Sequence, residues 1–145
     1  MAPKIVGKKA MATGTALASL LIAFSAQTAY AHDCSDEHVI NIVKLTNEER
    51  AAKGLKSLEC DEELTRESHE WAEHMSKTGE FEHAEGDFAE NIAWNTRKAS
   101  ADAIVQNWVK SPGHRANILD SGASIIGVGW SYSEENGSYT VQRFS

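Results

Sequence analysis

Positive charge, cysteine and long apolar runs are all scarce in this sequence, and each shortage excludes something. Fourteen Lys and Arg stand against twenty-one Asp and Glu over 145 residues. Three of the bases, Lys4, Lys8 and Lys9, lie in the first 31 residues, which hold no acid. The remainder therefore carries eleven bases against twenty-one acids, a net charge of −10. Nucleic acid and anionic membrane surfaces both need a basic footprint, so neither is expected as a partner. The G-x-S-x-G turn of a serine hydrolase is missing, which removes the commonest nucleophile. Internal repeats and low-complexity tracts are also missing after residue 31.

The only long apolar run is "TALASLLIAFSA", preceded by the three lysines and followed by "AYA" at Ala29, Tyr30 and Ala31. It is too short, and too polar at its edges, to span a membrane. The pattern is that of a signal peptide over residues 1–31, cut after Ala31. Removing 31 of 145 residues leaves 114, His32 to Ser145, enough for one domain with its own core. Ala31, His32 and Asp33, which lead into Cys34, do not form a lipid-attachment pattern. The expected product is a released monomer, extracellular or periplasmic, with no transmembrane segment. His32 would become its first residue. A terminal amine and its own imidazole can hold copper, but the sequence shows no further ligand for such an ion.

Two cysteines, Cys34 and Cys60, remain after that cut. In an oxidising compartment they allow one intramolecular bridge, and it is expected to form. It would tie the new N-terminus to a loop, with a loop-closure contribution of about 3 kcal/mol.

Helices come first along the chain. One is expected from Ser35, as N-cap, to a stop at Gly54, with Val39, Val43, Asn47 and Arg50 on one stripe. Its inward face turns polar towards the C-terminal half, so Asn47 and Arg50 need partners, and loop carbonyls are the natural ones. A second helix runs from Asp61 to Lys77 with Leu64, Ser68, Trp71, Ala72 and Met75 inward. A third starts near Ser100 and ends at "SPG", and a short turn follows through "HRANIL". The pattern then changes to strands in "ASIIGVGWSYS" and "SYTVQRFS", joined by "EENG". Asn136-Gly137 suits a type I′ hairpin turn. "NIAWN" at 91–95 is a candidate third strand. Helices followed by an antiparallel sheet read as a layered α+β fold.

The stretch "SHEWAEHMSKTGEFEHAEGDFAEN", residues 68–91, holds three histidines and seven carboxylates. A zinc-peptidase helix needs two histidines four apart. His69 and His74 are five apart, about 140° around a helix, and cannot chelate one ion together. His69 with Glu73 would supply one imidazole and a surface carboxylate. Both histidines read as solvated flanks of the second helix. A different set, His83, Glu90 and His114, lies beside secondary structure, where a scaffold can hold binding residues. Spacing alone does not assemble it.

Four blocks in order carry a resemblance: "LTNEERAAKGLKSLECDEELTRESHEWAEHM", "FEHAEGDFAENIAWN", "WVKSPGHRANIL" and "IIGVGWS…GSYTVQRFS". Over about residues 38–145 the chain resembles a bacterial secreted CAP domain, of the cysteine-rich secretory, antigen 5 and pathogenesis-related class 1 superfamily. The resemblance implies an α-β-α sandwich with a central antiparallel sheet flanked by helices. It also implies a cavity lined by two histidines and two glutamates. The first histidine matches His83, seven residues before the glutamate of a G-E-N motif, here Glu90. The second histidine matches His114. The second glutamate falls at Ser111 and is missing. Ala89 replaces the motif glycine, Cys60 replaces a common tryptophan, and the eukaryotic disulfide set is not present.

Two imidazoles and a carboxylate could take a divalent ion such as Zn²⁺, with His83 and His114 as ligands and Glu90 as ligand or orienter. Without an ion, Glu90 would hydrogen-bond His83 and hold its loop to the sheet. Asn91 and Asn117 read as partners for loop backbone groups. A binding module for a lipid or sterol-like molecule, a cell-wall component or a protein is the leading expectation. A metal-dependent hydrolase using the same cavity and a structural envelope or matrix protein are the alternatives.

Overall fold

A computed structural model describes residues 32–145. The expected signal peptide, residues 1–31, lies outside the described residues. Helix α1 (Glu37–Ala51) opens the fold and helix α2 (Glu62–Thr78) follows the two-residue strand β1 (Glu59–Cys60). Strand β2 (Ala89–Asn95) leads to helices α3 (Ala101–Lys110) and α4 (Pro112–Ile118), and the chain closes with β3 (Ile125–Ser133) and β4 (Gly137–Phe144).

Local chemistry sets these boundaries. The Asp61 carboxylate accepts the Leu64 N–H at the start of α2, and the Ser100 hydroxyl accepts that of Ala103 at α3. Gly79, at φ 76°, closes α2 in the left-handed conformation. Helix α1 departs from expectation by one residue. Asp36, not Ser35, is its N-cap and accepts from Val39 N, because Ser35 is held back by Asp33 through both its N–H and its hydroxyl. Its buried stripe is Val39, Ile42, Thr46 and Arg50, leaving Val43 and Asn47 half-buried on the flank.

The sheet has the order β1-β3-β4-β2. Three strands are antiparallel, as expected, but β1 pairs in parallel with β3, so the sheet is mixed. A two-residue strand between helices carries no alternating pattern from which a pairing could be read. The β3–β4 turn also differs. Only Gly137 takes positive φ, whereas a type I′ turn needs it at Asn136 as well. The Asn136 amide and the Ser133 hydroxyl instead donate to Ser76 O, fixing the hairpin tip to the end of α2.

Each sheet face is covered. Val39, Ile42, Ile104, Trp108 and Ile118 of α1, α3 and α4 pack on Ile126, Val128 and Phe144. On the other face Ala72 and Met75 of α2 meet Ile92, Tyr139 and Val141. Trp71, expected in that core, sits at its rim and donates to Glu82 O. Glycine decides how closely α2 approaches: a Cβ at Gly127 or Gly129 would overlap the α2 backbone at Leu64 or His69. The Cys34–Cys60 disulfide forms, with a Cα–Cα distance of 6.0 Å, and fastens the segment before α1 to β1.

Candidate functional site

Strand pairing places Glu90 of β2 directly opposite Arg143 of β4, both facing the α2 side. Arg143 Nε donates to Glu90 Oε2 at 2.9 Å, and both side chains are buried, with 5% and 4% exposure. The other carboxylate oxygen accepts from His83 Nδ1 at 2.8 Å and from the Ala84 backbone N–H at 3.1 Å. Arg143 also lies over the Phe88 ring, 4.2 Å from its centroid. Glu90 is thus fully engaged, and it ties the loop after α2 to the sheet. With its proton on Nδ1, His83 keeps its Nε2 lone pair, and its side chain is 58% exposed.

His114 reaches the same edge of the sheet from α4. Its carbonyl accepts from Asn91 Nδ2 at 3.1 Å. Among the described residues its own buried Nδ1 has no hydrogen-bond partner. Burial, and then the nearby His83 charge, hold its pKa below the ordinary 6.5. Asn117 Nδ2 donates to Glu90 O and Asn91 Oδ1, so the backbone under the site is pinned by amide side chains. Asn91 continues to Gln142 Oε1, and Gln142 to Thr46 Oγ1 on α1.

The sequence-derived trio is therefore assembled in part. Glu90 and His83 are in contact, and His114 is held at the same edge through its carbonyl, which accepts from Asn91. Ser111, at the position of the missing glutamate, joins α3 to α4 and makes no side-chain cap. Asn47 and Arg50 take no part. Asn47 makes a two-way bridge to the Leu58 backbone, and Arg50 donates to the carbonyls of Lys56, Ile118 and Asp120. The residue that sequence reasoning missed is Arg143. Its signal was a charged side chain within the otherwise buried strand "TVQRF", which demands a carboxylate partner.

His69 also differs from expectation. It is half-buried: Nδ1 lies 2.9 Å from Trp130 O, and the ring stacks on His32 at 3.7 Å and 9°. The reason is Gly129, which lets the α2 backbone lie on β3 and brings His69 against the strand. His74 is exposed, stacked on Trp71 with 4.8 Å between centroids.

The profile of CAP, the cysteine-rich secretory protein family, matches residues 43–144, most of the chain. The protein belongs to the CAP family. The uncharacterized protein YkwD of Bacillus subtilis is 32% identical over 120 residues, 71% of this chain and 45% of its own length. This CAP chain thus spans under half of that curated relative. An outer surface protein of Borrelia burgdorferi shares the fold with a TM-score of 0.67 at 18% identity, over 75% of this chain and 92% of its own. An extracellular protein containing an SCP domain from Bacillus anthracis str. Ames gives 0.63 at 24% identity, over 72% of this chain and 39% of its own.

A catalytic ion needs three convergent protein ligands and an open position. Among the described residues, no group of three or more His, Cys, Asp or Glu side chains has that arrangement. Glu90 is neutralised by Arg143 and occupied at both oxygens, so the residues around His83 and His114 do not fit such an ion.

Proposed function

We propose that this CAP domain is an exported binding module, with its ligand held along the β2 edge beside His83 and His114. The observation that carries this reading is the complete engagement of Glu90. A carboxylate bonded by Arg143, His83 and Ala84 N is a clamp, and it is poorly placed to act as a general base. The disulfide, the apolar leader and the extracellular SCP-domain protein of B. anthracis all support export. No helix of the described residues is long and apolar enough to cross a membrane.

The ligand is a lipid or sterol-like molecule. Phe81 and Trp94 are 53% and 48% exposed. Both flank Tyr139, Phe81 at 6.4 Å between centroids and Trp94 as its cross-strand pair. Phe81, two residues before His83, and Trp94, at the hairpin end of β2, suit an apolar body whose hydrogen-bonding head lies towards the imidazoles. Extraction of labelled sterol and phospholipid from vesicles tests this. Transfer lost in Phe81→Ser/Trp94→Ser and weakened in folded His83→Ala is the expected result. Hydrolysis that disappears in folded His83→Ala or Glu90→Ala would replace the binding module with an enzyme. No transfer, with a lower Tm in His83→Ala, would leave a structural protein.

A further inference from the structure

The second histidine cluster surrounds Trp130, on β3. His32 stacks on His69, and both His32 and His38 meet the Trp130 ring edge-on, at 5.4 and 5.3 Å between centroids. Among the described residues, His32 Nδ1 is buried and has no hydrogen-bond partner. A buried ring nitrogen left without a partner calls for an explanation, and a bound ion is one. His69 Nδ1 faces a carbonyl oxygen, Trp130 O, which can only accept. In the neutral ring the proton therefore sits on Nδ1, and Nε2 presents its lone pair. A backbone carbonyl fixing the tautomer of a ligating histidine is a recurrent outer-shell device of metal sites.

We propose that His32 and His69 form a Cu²⁺ site of three nitrogens: the terminal amine released by cleavage after Ala31, His32 Nδ1 and His69 Nε2. The inference rests on the export reading, which makes His32 the first residue. A terminal histidine closes a six-membered chelate ring through its own Cα, Cβ and Cγ. The third nitrogen comes from a ring 3.7 Å away. Parallel rings do not aim their lone pairs at one point, and binding turns the His32 ring about its side-chain bonds. The chain allows that turn, since His32 precedes α1 and is fixed only from Cys34 onward, by the disulfide and by the bond from Cys34 N to Glu62.

Charge and access agree. The Asp36 carboxylate lines the same pocket as His32. Imidazole and amine donors favour Cu²⁺ over the other divalent first-row ions. An open pocket of about 500 Å³, lined by His32, Asp36, Lys98, Trp130, Ser131 and Tyr132, gives an entry path and room for an outer ligand.

The test uses the chain secreted by an exporting host, its first residue fixed by mass spectrometry. Cu²⁺ titration with electron paramagnetic resonance should show one ion per chain and hyperfine coupling to three nitrogens. His69→Gln should weaken binding by more than the roughly 100-fold that loss of an outer partner can cost. A chain carrying one extra alanine before His32 should lose affinity similarly, with every side chain in place. His83→Ala/His114→Ala should bind as the parent does, which separates this site from the lipid-binding edge. Equal affinity in all four chains would overturn the proposal. So would a secreted chain that begins elsewhere than His32, or copper lost with His83 and His114.

Discussion

The β2 edge and the Trp130 cluster are built from the same residue type and differ in what surrounds it. At the β2 edge a buried carboxylate is closed in by Arg143, His83 and a backbone N–H. At Trp130 the half-buried Asp36 carboxylate accepts from Val39 N and Trp130 Nε1, and the buried His32 Nδ1 lacks a partner among the described residues, as His114 Nδ1 does at the β2 edge. The first arrangement uses its polar groups to hold a loop. The second stacks its imidazoles on one another and against an indole, with no buried carboxylate–arginine pair behind them. A histidine's role follows from the free valence of its neighbours more than from its own position in the chain.

Breaking the closed cluster should give the largest effect. Arg143→Met strands the Glu90 carboxylate in the interior and should cost about 3–5 kcal/mol in urea unfolding. Glu90→Gln added to it should return a large part of that loss. Next comes Cys34→Ser/Cys60→Ser, expected to cost about 3 kcal/mol. It should also release His32 from His69, shifting the His32 ring resonances in NMR while those of His83 stay in place. Gly129→Ala is the third. Its methyl group meets the α2 backbone at His69, and overpacking of this kind costs about 1–3 kcal/mol. The same change should move the His69 resonances and spare those of His83, which sharpens the comparison.

The smallest effect is on pH dependence. His32, His38 and His114 all titrate below 6.5 in the folded chain, chiefly through burial. As pH falls, the unfolded chain takes up these protons first. The stability they contribute is therefore full above 6.5 and declines below it, towards the folded values. Urea midpoints at about pH 7.5 and pH 5.5 should show the decline, and His38→Gln should reduce it. The groups opposing the shift at His32 and His38 include Asp36, whereas His114 faces the cationic form of His83. Substitution of Asp36 by Asn should thus deepen the decline, and His83→Ala should lessen it.

Local signals were legible in the sequence. Asp61 and Ser100 are capping residues in both readings, and the helix-then-sheet order follows from a change of hydrophobic period. Family spacing pointed to His83, Glu90 and His114. What the sequence hid depends on register. Arg143 meets Glu90 only because β2 and β4 pair with those residues opposite, 53 positions apart in the chain. The parallel β1 pairing rests on two residues, too few to show a period. The place of His69 is hidden for a similar reason, since its angle to His74 on the helix says nothing of what the helix packs against. Its actual neighbours are a glycine in a distant strand and a histidine from the start of the described chain.

The amide row from Thr46 through Gln142 and Asn91 to Asn117 has a mechanical consequence. It couples α1, β4, β2 and α4 by side-chain bonds of 2.8 to 3.1 Å, three of its residues being fully buried. Sliding this helical layer over the sheet by one turn would break the bonds together and leave several buried amides without partners, a cost of about 1–3 kcal/mol for each. The layer is keyed in place, like a gear with meshed teeth. Shear is thus a stiff coordinate in this domain.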